Sequence, residues 1–203
     1  MQSTRYEILD KLKRKGTGTI EELAESLGLT QTCVRQHMAL LERDNLSTAS
    51  EARAKLGRPH RVYRLTRKGE DFFPKGYDLL ANGLLDEVAA LDGKERVKAL
   101  CESLGHRLAT QHLHEVSSPS LETRMAEISN LLNNQGALAE WEPVNGAYQL
   151  AIHNCRFHRV AESHNEVCGG ELRFLSDLLR TKVNQSESLL RGSNCCKFLI
   201  DVP

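Results

Sequence analysis

The chain has 203 residues with 27 Lys and Arg against 27 Asp and Glu, so its formal net charge at pH 7 is zero. The length suits two domains of ordinary size. No stretch reaches the apolar length of a membrane span, and the opening residues MQSTRYEILDKLKRKG lack the apolar run of a secretory signal. A soluble, cytoplasmic protein is expected, with its six cysteines reduced and open to metal or redox chemistry. Charge is unevenly spread. Residues 1–75 hold 15 basic and 10 acidic side chains, a net of +5, and the remainder holds 12 against 17, a net of −5. A basic N-terminal third beside an acidic remainder implies that one segment meets a polyanion.

In chain order, a first helix runs from Ser3 or Thr4 to about Lys15 with Ile8, Leu9 and Leu12 on its buried face. Gly16 to Gly18 breaks it. Ile20, Leu23, Ala24 and Leu27 then fall at i, i+3, i+4 and i+7 of a second helix. Thr19 and Glu22 form a capping-box pattern at its start, and Gly28 ends it. A third helix starts at Thr30 or Gln31 with Val34, Met38 and Leu41 inward. Its opposite face carries Gln31, Thr32, Arg35, Gln36 and His37, which can donate to phosphates and base edges. A short helix, a glycine turn and a second helix with a polar, basic N-terminal half is the helix-turn-helix arrangement.

STASEARAKLGRPHRVYRLT reads as a hairpin, with strands near Ser47–Ala52 and His60–Leu65 around the turn Gly57-Arg58-Pro59. Its tip carries Lys55, Arg58, His60 and Arg61, a basic wing suited to the backbone or minor groove. The run from Ile20 through GRPHRVYRLTRKGEDFF resembles the winged-helix DNA-binding domains of the ArsR, MarR and DeoR groups. Gly57-Arg58-Pro59 followed by Tyr63-Arg64-Leu65-Thr66 and Gly69 is a frequent form of the wing there. That resemblance implies a transcriptional regulator.

Residues 66–91 read as one helix with Leu80, Leu84, Val88 and Leu91 in a stripe, and Lys94 to about His114 as another with Val97, Leu100, Leu104 and Leu108. Both stripes suit helix packing within a subunit or across a dimer. A homodimer is expected, since helix-turn-helix proteins usually read two half-sites of double-stranded DNA. Ser117-Ser118-Pro119-Ser120 is a break. A helix from Leu121 to Asn133 follows, then strands 138–142 and 148–153 around Asn145-Gly146. Helices at 156–162 and 166–180 and strands at 182–190 and 195–202 complete the chain. The expected fold is α+β: a winged-helix DNA-binding domain at 1–75, linking or dimerisation helices at 76–117, and a cysteine-rich sensor domain at 118–203.

Cys33 and Cys101 fall on helices and read as small, buried residues. Cys155, Cys168, Cys195 and Cys196 crowd the C-terminal part, where thiolates are ligands for zinc and for iron–sulfur iron. Of the adjacent pair, Cys196 is the better candidate and Cys195 the reserve, because neighbours on a strand point to opposite faces. His153, His158 and His164 lie nearby as possible further ligands.

The segment AIHNCRFHRVAESHNEVC from Ala151, with ELRFLSDLL and RGSNCCKFLI, resembles the C-terminal domain of SufR-like regulators. The matching pieces are Asn154-Cys155 with Val160-Ala161, then Val167-Cys168, then Gly192 and Cys196-x-Phe-x-Ile. The resemblance implies a winged-helix repressor that carries an iron–sulfur cluster, of the 4Fe-4S or 2Fe-2S type. The pattern departs in one place: that family has a further cysteine between Cys168 and the last one, and Gly169 to Asn194 contains none. Three routes remain open: three cysteines with another ligand, Cys195 as substitute, or a cluster with an open iron site. Zinc in the same site and metal-free redox thiols are the alternatives. A cysteine-nucleophile enzyme is the remote one, since the chain shows no nucleophile elbow, Gly-rich phosphate loop or paired-carboxylate signature; no enzyme is expected.

Overall fold

The fold is α+β, and the computed structural model describes residues 4–52 and 60–202, with the side chains of Ala52 and His60 outside that description. The chain divides into two compact units, residues 1–75 and 76–203.

The first unit opens with three helices, α1 (Thr4–Lys15), α2 (Ile20–Leu27) and α3 (Gln31–Arg43). The antiparallel hairpin β1 (Ser47–Ala52) and β2 (His60–Leu65) follows, then the single turn of helix α4 (Arg67–Asp71). The periodic leucines do what their spacing dictates. Ile8, Leu9 and Leu12 of α1, Leu23 and Ala24 of α2, and Val34, Met38 and Leu41 of α3 meet in one core, closed by Leu46 and Tyr63. The start of α2 is a complete capping box: Glu22 N–H donates to Thr19 Oγ1 at 3.2 Å, and Thr19 N–H donates to the Glu22 carboxylate at 2.8 Å. Gly28 closes the helix at φ 65°, a left-handed conformation that a side chain would penalise. Gly18 bridges to Tyr63 and ties the α1–α2 connection to the hairpin.

One expectation fails at the end of this unit. The single helix read over residues 66–91 is two. Helix α4 stops at Asp71, and α5 (Tyr77–Asp92) starts only after Pro74 and Gly76. Pro74 brings no N–H and disfavours helical backbone at Phe73 before it. The leucine stripe of α5 is real, but it does not extend upstream of the proline.

The second unit contains α5, α6 (Lys94–His112), α7 (Leu121–Asn134), α8 (His158–Ala161) and α9 (Glu166–Leu179). Its strands are β3 (Ala139–Val144), β4 (Ala147–Ile152), β5 (Val183–Glu187) and β6 (Cys196–Ile200), all antiparallel in the order β3-β4-β6-β5. Asn145 (φ 50°) and Gly146 (φ 80°) form the two-residue turn between β3 and β4. Strand β5 is shorter than its sequence pattern, because Ser188 caps a 3-10 turn at Leu189–Arg191. Helices α7 and α9 supply Met125, Ile128, Leu132, Phe174, Leu175 and Leu178 to the core beneath Leu150, Phe198 and Ile200 of the sheet.

Residues 76–117, expected as linking or dimerisation helices, fall within the second unit. Helix α6 lies against α9, and the two backbones touch at glycines. A Cβ on Gly105 would stand 2.1 Å from the Gly170 carbonyl oxygen, and one on Gly170 would stand 2.6 Å from that of Cys101. This contact fixes where α9, and with it Cys168, sits. Buried Arg124 holds the other end of α9, donating to the Leu179 carbonyl at 3.2 Å and to the Ser118 and Pro119 carbonyls at 2.9 and 2.8 Å.

Candidate functional site

Helix α3 presents one polar face. Thr30 caps it, its hydroxyl accepting from Cys33 N–H at 3.2 Å, and no acidic residue occupies the first turn. The positive end of the helix dipole is therefore left for an anion. Gln31, Thr32, Arg35 and Gln36 are exposed, and Arg35 reaches Gln31 Oε1 at 3.4 Å. His37 is half-buried, and its Nδ1 is enclosed without a hydrogen-bond partner among the described residues. Arg61 of β2 donates to Glu42 of α3 at 3.2 Å and lies 5.6 Å from the Tyr63 ring centre, so the loop-side end of the hairpin is pinned to the helix. Arg58 and Lys55, expected at the hairpin tip, lie outside the described residues, as does the side chain of His60. Cys33 is half-buried on α3.

The second candidate site is built by three separate elements of the second unit. Strand alternation puts Cys196, Phe198 and Ile200 on the buried, helix-facing side of β6. Cys155 lies in the segment that leaves β4, whose Ile152 pairs with Cys196. Cys168 lies in the first turn of α9. These three thiols line one small cavity of about 30 Å³, together with Glu171, Phe157 and Gln185. Cys195 is buried on the opposite side of the strand, toward Lys197, and does not line the cavity. All six cysteines are free thiols.

The electrostatics are those of desolvated, mutually close acids. Burial pushes the Cys168 thiol up to about 11, with Cys155, Cys196 and Glu171 adding to the rise. Burial also raises Cys155, partly opposed by a hydrogen bond from Phe157 N–H. Leu189 N–H donates to Cys196 Sγ at 3.5 Å. The Glu171 carboxyl is held above the ordinary range by burial, against the pull of Arg156, whose Nη2 is 3.5 Å away. Among the described residues, no three His, Cys, Asp or Glu side chains are drawn close enough to grip a single metal ion as they stand. A cavity of this size holds about one water. Three thiols and one carboxyl thus face one cavity, donor types that zinc sites use and, for the thiols, that iron–sulfur sites use.

The histidines stand elsewhere. His153 bonds Glu140 at 2.9 Å on the outside of β3 and β4, His158 is 3.4 Å from Glu162, and His164 Nε2 is 3.2 Å from Asp86 of α5. None lines the thiol cavity. Cys101 lies on α6 among apolar neighbours. The sequence reading overlooked Glu171 and Arg156. The signal was available, since Glu171 follows Cys168 at i+3 and so shares its helix face.

Residues 2–46 match the family model described as bacterial regulatory protein, arsR family. The N-terminal unit carries an ArsR-family helix-turn-helix DNA-binding domain. The matched span ends where the hairpin begins, and it includes the capping box, the Gly28 turn and all of α3. Among solved structures, the chain is similar to the phenol-responsive sensory domain of the transcription activator PoxR, solved with phenol. Identity is 16%, the TM-score is 0.44, and the match covers 61% of this chain and 73% of that one. No curated protein matches the chain. Among the described residues, no helix is long and apolar enough to cross a membrane.

Proposed function

We propose that the chain is a DNA-binding transcriptional regulator that acts as a homodimer. Its second unit reports iron–sulfur status or redox state through a cluster held by Cys155, Cys168 and Cys196. The observation that carries this reading is the convergence of three thiols from three elements on one cavity, with the neighbouring Cys195 turned away. A cluster takes one thiolate per iron in the 4Fe-4S type and two per iron in the 2Fe-2S type, and would supply a redox- and oxygen-sensitive link between these elements. Glu171, on the same cavity wall, is the available oxygen donor for a further position.

The chain's own residues give such a link mechanical reach. Cys168 is fixed to α9, and α9 touches α6 backbone to backbone at Gly105 and Gly170. Helix α6 packs on α5, which begins two residues after the first unit ends. Tying or releasing β6, the Cys155 segment and α9 would therefore bias α6 and α5, the elements that follow the DNA-binding unit in the chain. Helix α5 buries none of its residues and exposes Leu79, Leu80 and Leu91 at 76%, 62% and 80%. A second copy of the chain covering this face supplies the two-fold symmetry that paired half-sites require.

Zinc held by the same thiols and Glu171 is the second reading, favoured by the carboxyl on the cavity wall. Iron, acid-labile sulfide and zinc analysis with a visible spectrum, on protein purified without oxygen, separates the two. Brown protein containing iron and sulfide that bleaches in air is the expected result. Colourless protein with stoichiometric zinc replaces the cluster by zinc, and protein without metal overturns both. Duplexes selected from a random-sequence library then test the response: unchanged DNA affinity and unchanged response in Cys155→Ser refute sensing through this site.

A further inference from the structure

A second cavity of the same unit lies between α5, α6, α8 and α9, with a volume of about 340 Å³. Its walls are almost wholly apolar, contributed by Leu84, Leu104, Leu108, Val160 and Phe174. Its mouth is marked by exposed leucines: Leu84 is 60%, Leu100 39% and Leu104 42% exposed. At its polar end stand Arg156 and Glu171, side chains 23% and 18% exposed and 3.5 Å apart. We propose that this cavity is the binding site of a small, uncharged, mainly apolar molecule carrying one hydroxyl or N–H group, which that guanidinium and carboxyl recognise.

Three observations carry the assignment. The volume falls at the lower end of the range for small-molecule sites, which are typically apolar with a few placed polar groups. Apolar walls left open to water at the mouth gain free energy when an apolar molecule covers them. Arg156 and Glu171 already balance one another, so a charged ligand would bring an uncompensated charge into an apolar enclosure. A neutral hydroxyl or N–H can donate to the carboxyl or accept from the guanidinium without that penalty. A leucine from another copy of the chain would fill the mouth but make no hydrogen bond at the polar end. Phe157 and Glu171 line both this cavity and the thiol cavity, so an occupant of one touches the wall of the other. With Glu171 on a metal, Arg156 alone meets the polar group of the apolar molecule; in the metal-free chain both do, so the cavity is tested in either state.

The test is calorimetric titration of the full chain, as purified and after metal removal, with indole and 2-naphthol as probes. Indene, the isostere of indole without an N–H, is the control. Saturable binding at one site per chain, about tenfold or more tighter for indole than for indene, is the expected result. Leu100→Trp narrows the mouth and weakens indole by about tenfold or more. Circular dichroism checks that it folds, and should it unfold, Leu104→Phe gives the same test. In the wild-type chain, methyl resonances of Leu108 and Val160 shift on adding indole. Absence of saturable binding for both indole and 2-naphthol overturns the site, as does indene binding as tightly as indole. A mouth variant that loses self-association but binds indole unchanged assigns the leucines to a second copy and overturns it too. A colourless, metal-free protein that still binds indole refutes the cluster and leaves the cavity standing.

Discussion

Cys196 shares the inner face of β6 with Phe198 and Ile200, and its sulfur accepts the Leu189 N–H, whereas Cys195 is turned toward Lys197. Cys196→Ser is therefore expected to lower metal content by at least about tenfold, since even supporting residues of metal sites matter by that much. Cys195→Ser leaves it unchanged. Metal analysis of the two purified variants checks this, and equal losses would place Cys195 in the site. Protons matter as well. The Cys168 thiol, pushed up to about 11, is protonated at neutral pH in the metal-free chain and must be deprotonated to bind metal. Each thiol that loses a proton on loading makes affinity fall about tenfold per pH unit of acidification. Three such thiols give a fall of up to about a thousandfold per unit. Zinc competition with a chromophoric chelator between pH 6 and 8 measures the slope, and a pH-independent affinity would exclude thiol ligation. The same rise bears on folding in the metal-free chain. A thiol whose folded value lies above its ordinary one stabilises the fold below about pH 9, and that contribution is lost as pH climbs toward 11.

Two elements are held by single atoms of clearance. Gly105 on α6 faces the Gly170 carbonyl of α9 so closely that even a methyl group must move the helices apart. Gly105→Ala is expected to destabilise the second unit by about 1–3 kcal/mol, the usual scale of overpacking. Urea unfolding followed by the fluorescence of Trp141, which lies in the second unit, reads it without interference from the first. An unchanged midpoint would mean that the two helices do not meet at Gly105 and Gly170. Helix α3 depends on a cap instead. Thr30→Ala removes the hydroxyl that accepts from Cys33 N–H and costs about 1 kcal/mol. Hydrogen exchange at the amides of the first turn of α3 is expected to accelerate, and unchanged exchange would remove the cap from that role.

Across the whole molecule, charge and apolar surface are divided between the units. Residues 1–75 carry the net of +5, so DNA affinity should fall steeply with salt. Arg35→Ala reduces the salt slope by about one if Arg35 meets a phosphate, and relaxes sequence preference if it meets a base edge. Titrations of selected and random duplexes at several salt concentrations distinguish these, and no change in either would remove Arg35 from the interface. The acidic second unit carries the exposed leucines of α5. Leu80→Glu with Leu91→Glu is expected to convert a dimer to a monomer in sedimentation and to weaken operator binding. A wild-type monomer would refute pairing through this face.

What the chain determined by itself is what local rules govern. The capping box at Thr19 and Glu22, the left-handed Gly28, the leucine spacing of three helices and the Asn145-Gly146 turn each involve residues a few positions apart, so their energetics are written in the sequence. The same locality misled where periodicity was carried across Pro74, because the leucines of α5 outvoted one imide ring. Tertiary structure alone decided the rest. Gly169-Gly170 reads as a poor piece of helix until Gly105 is brought against it. Arg124 finds its three carbonyl partners only when the break before α7 and the end of α9 are brought together. Cys155, Cys168 and Cys196 become one site only because β6 inserts between β4 and β5 and α9 packs over them. That pairing joins segments distant in the chain, and its register is fixed by burying one face of the strand, a condition that no short stretch of sequence can express.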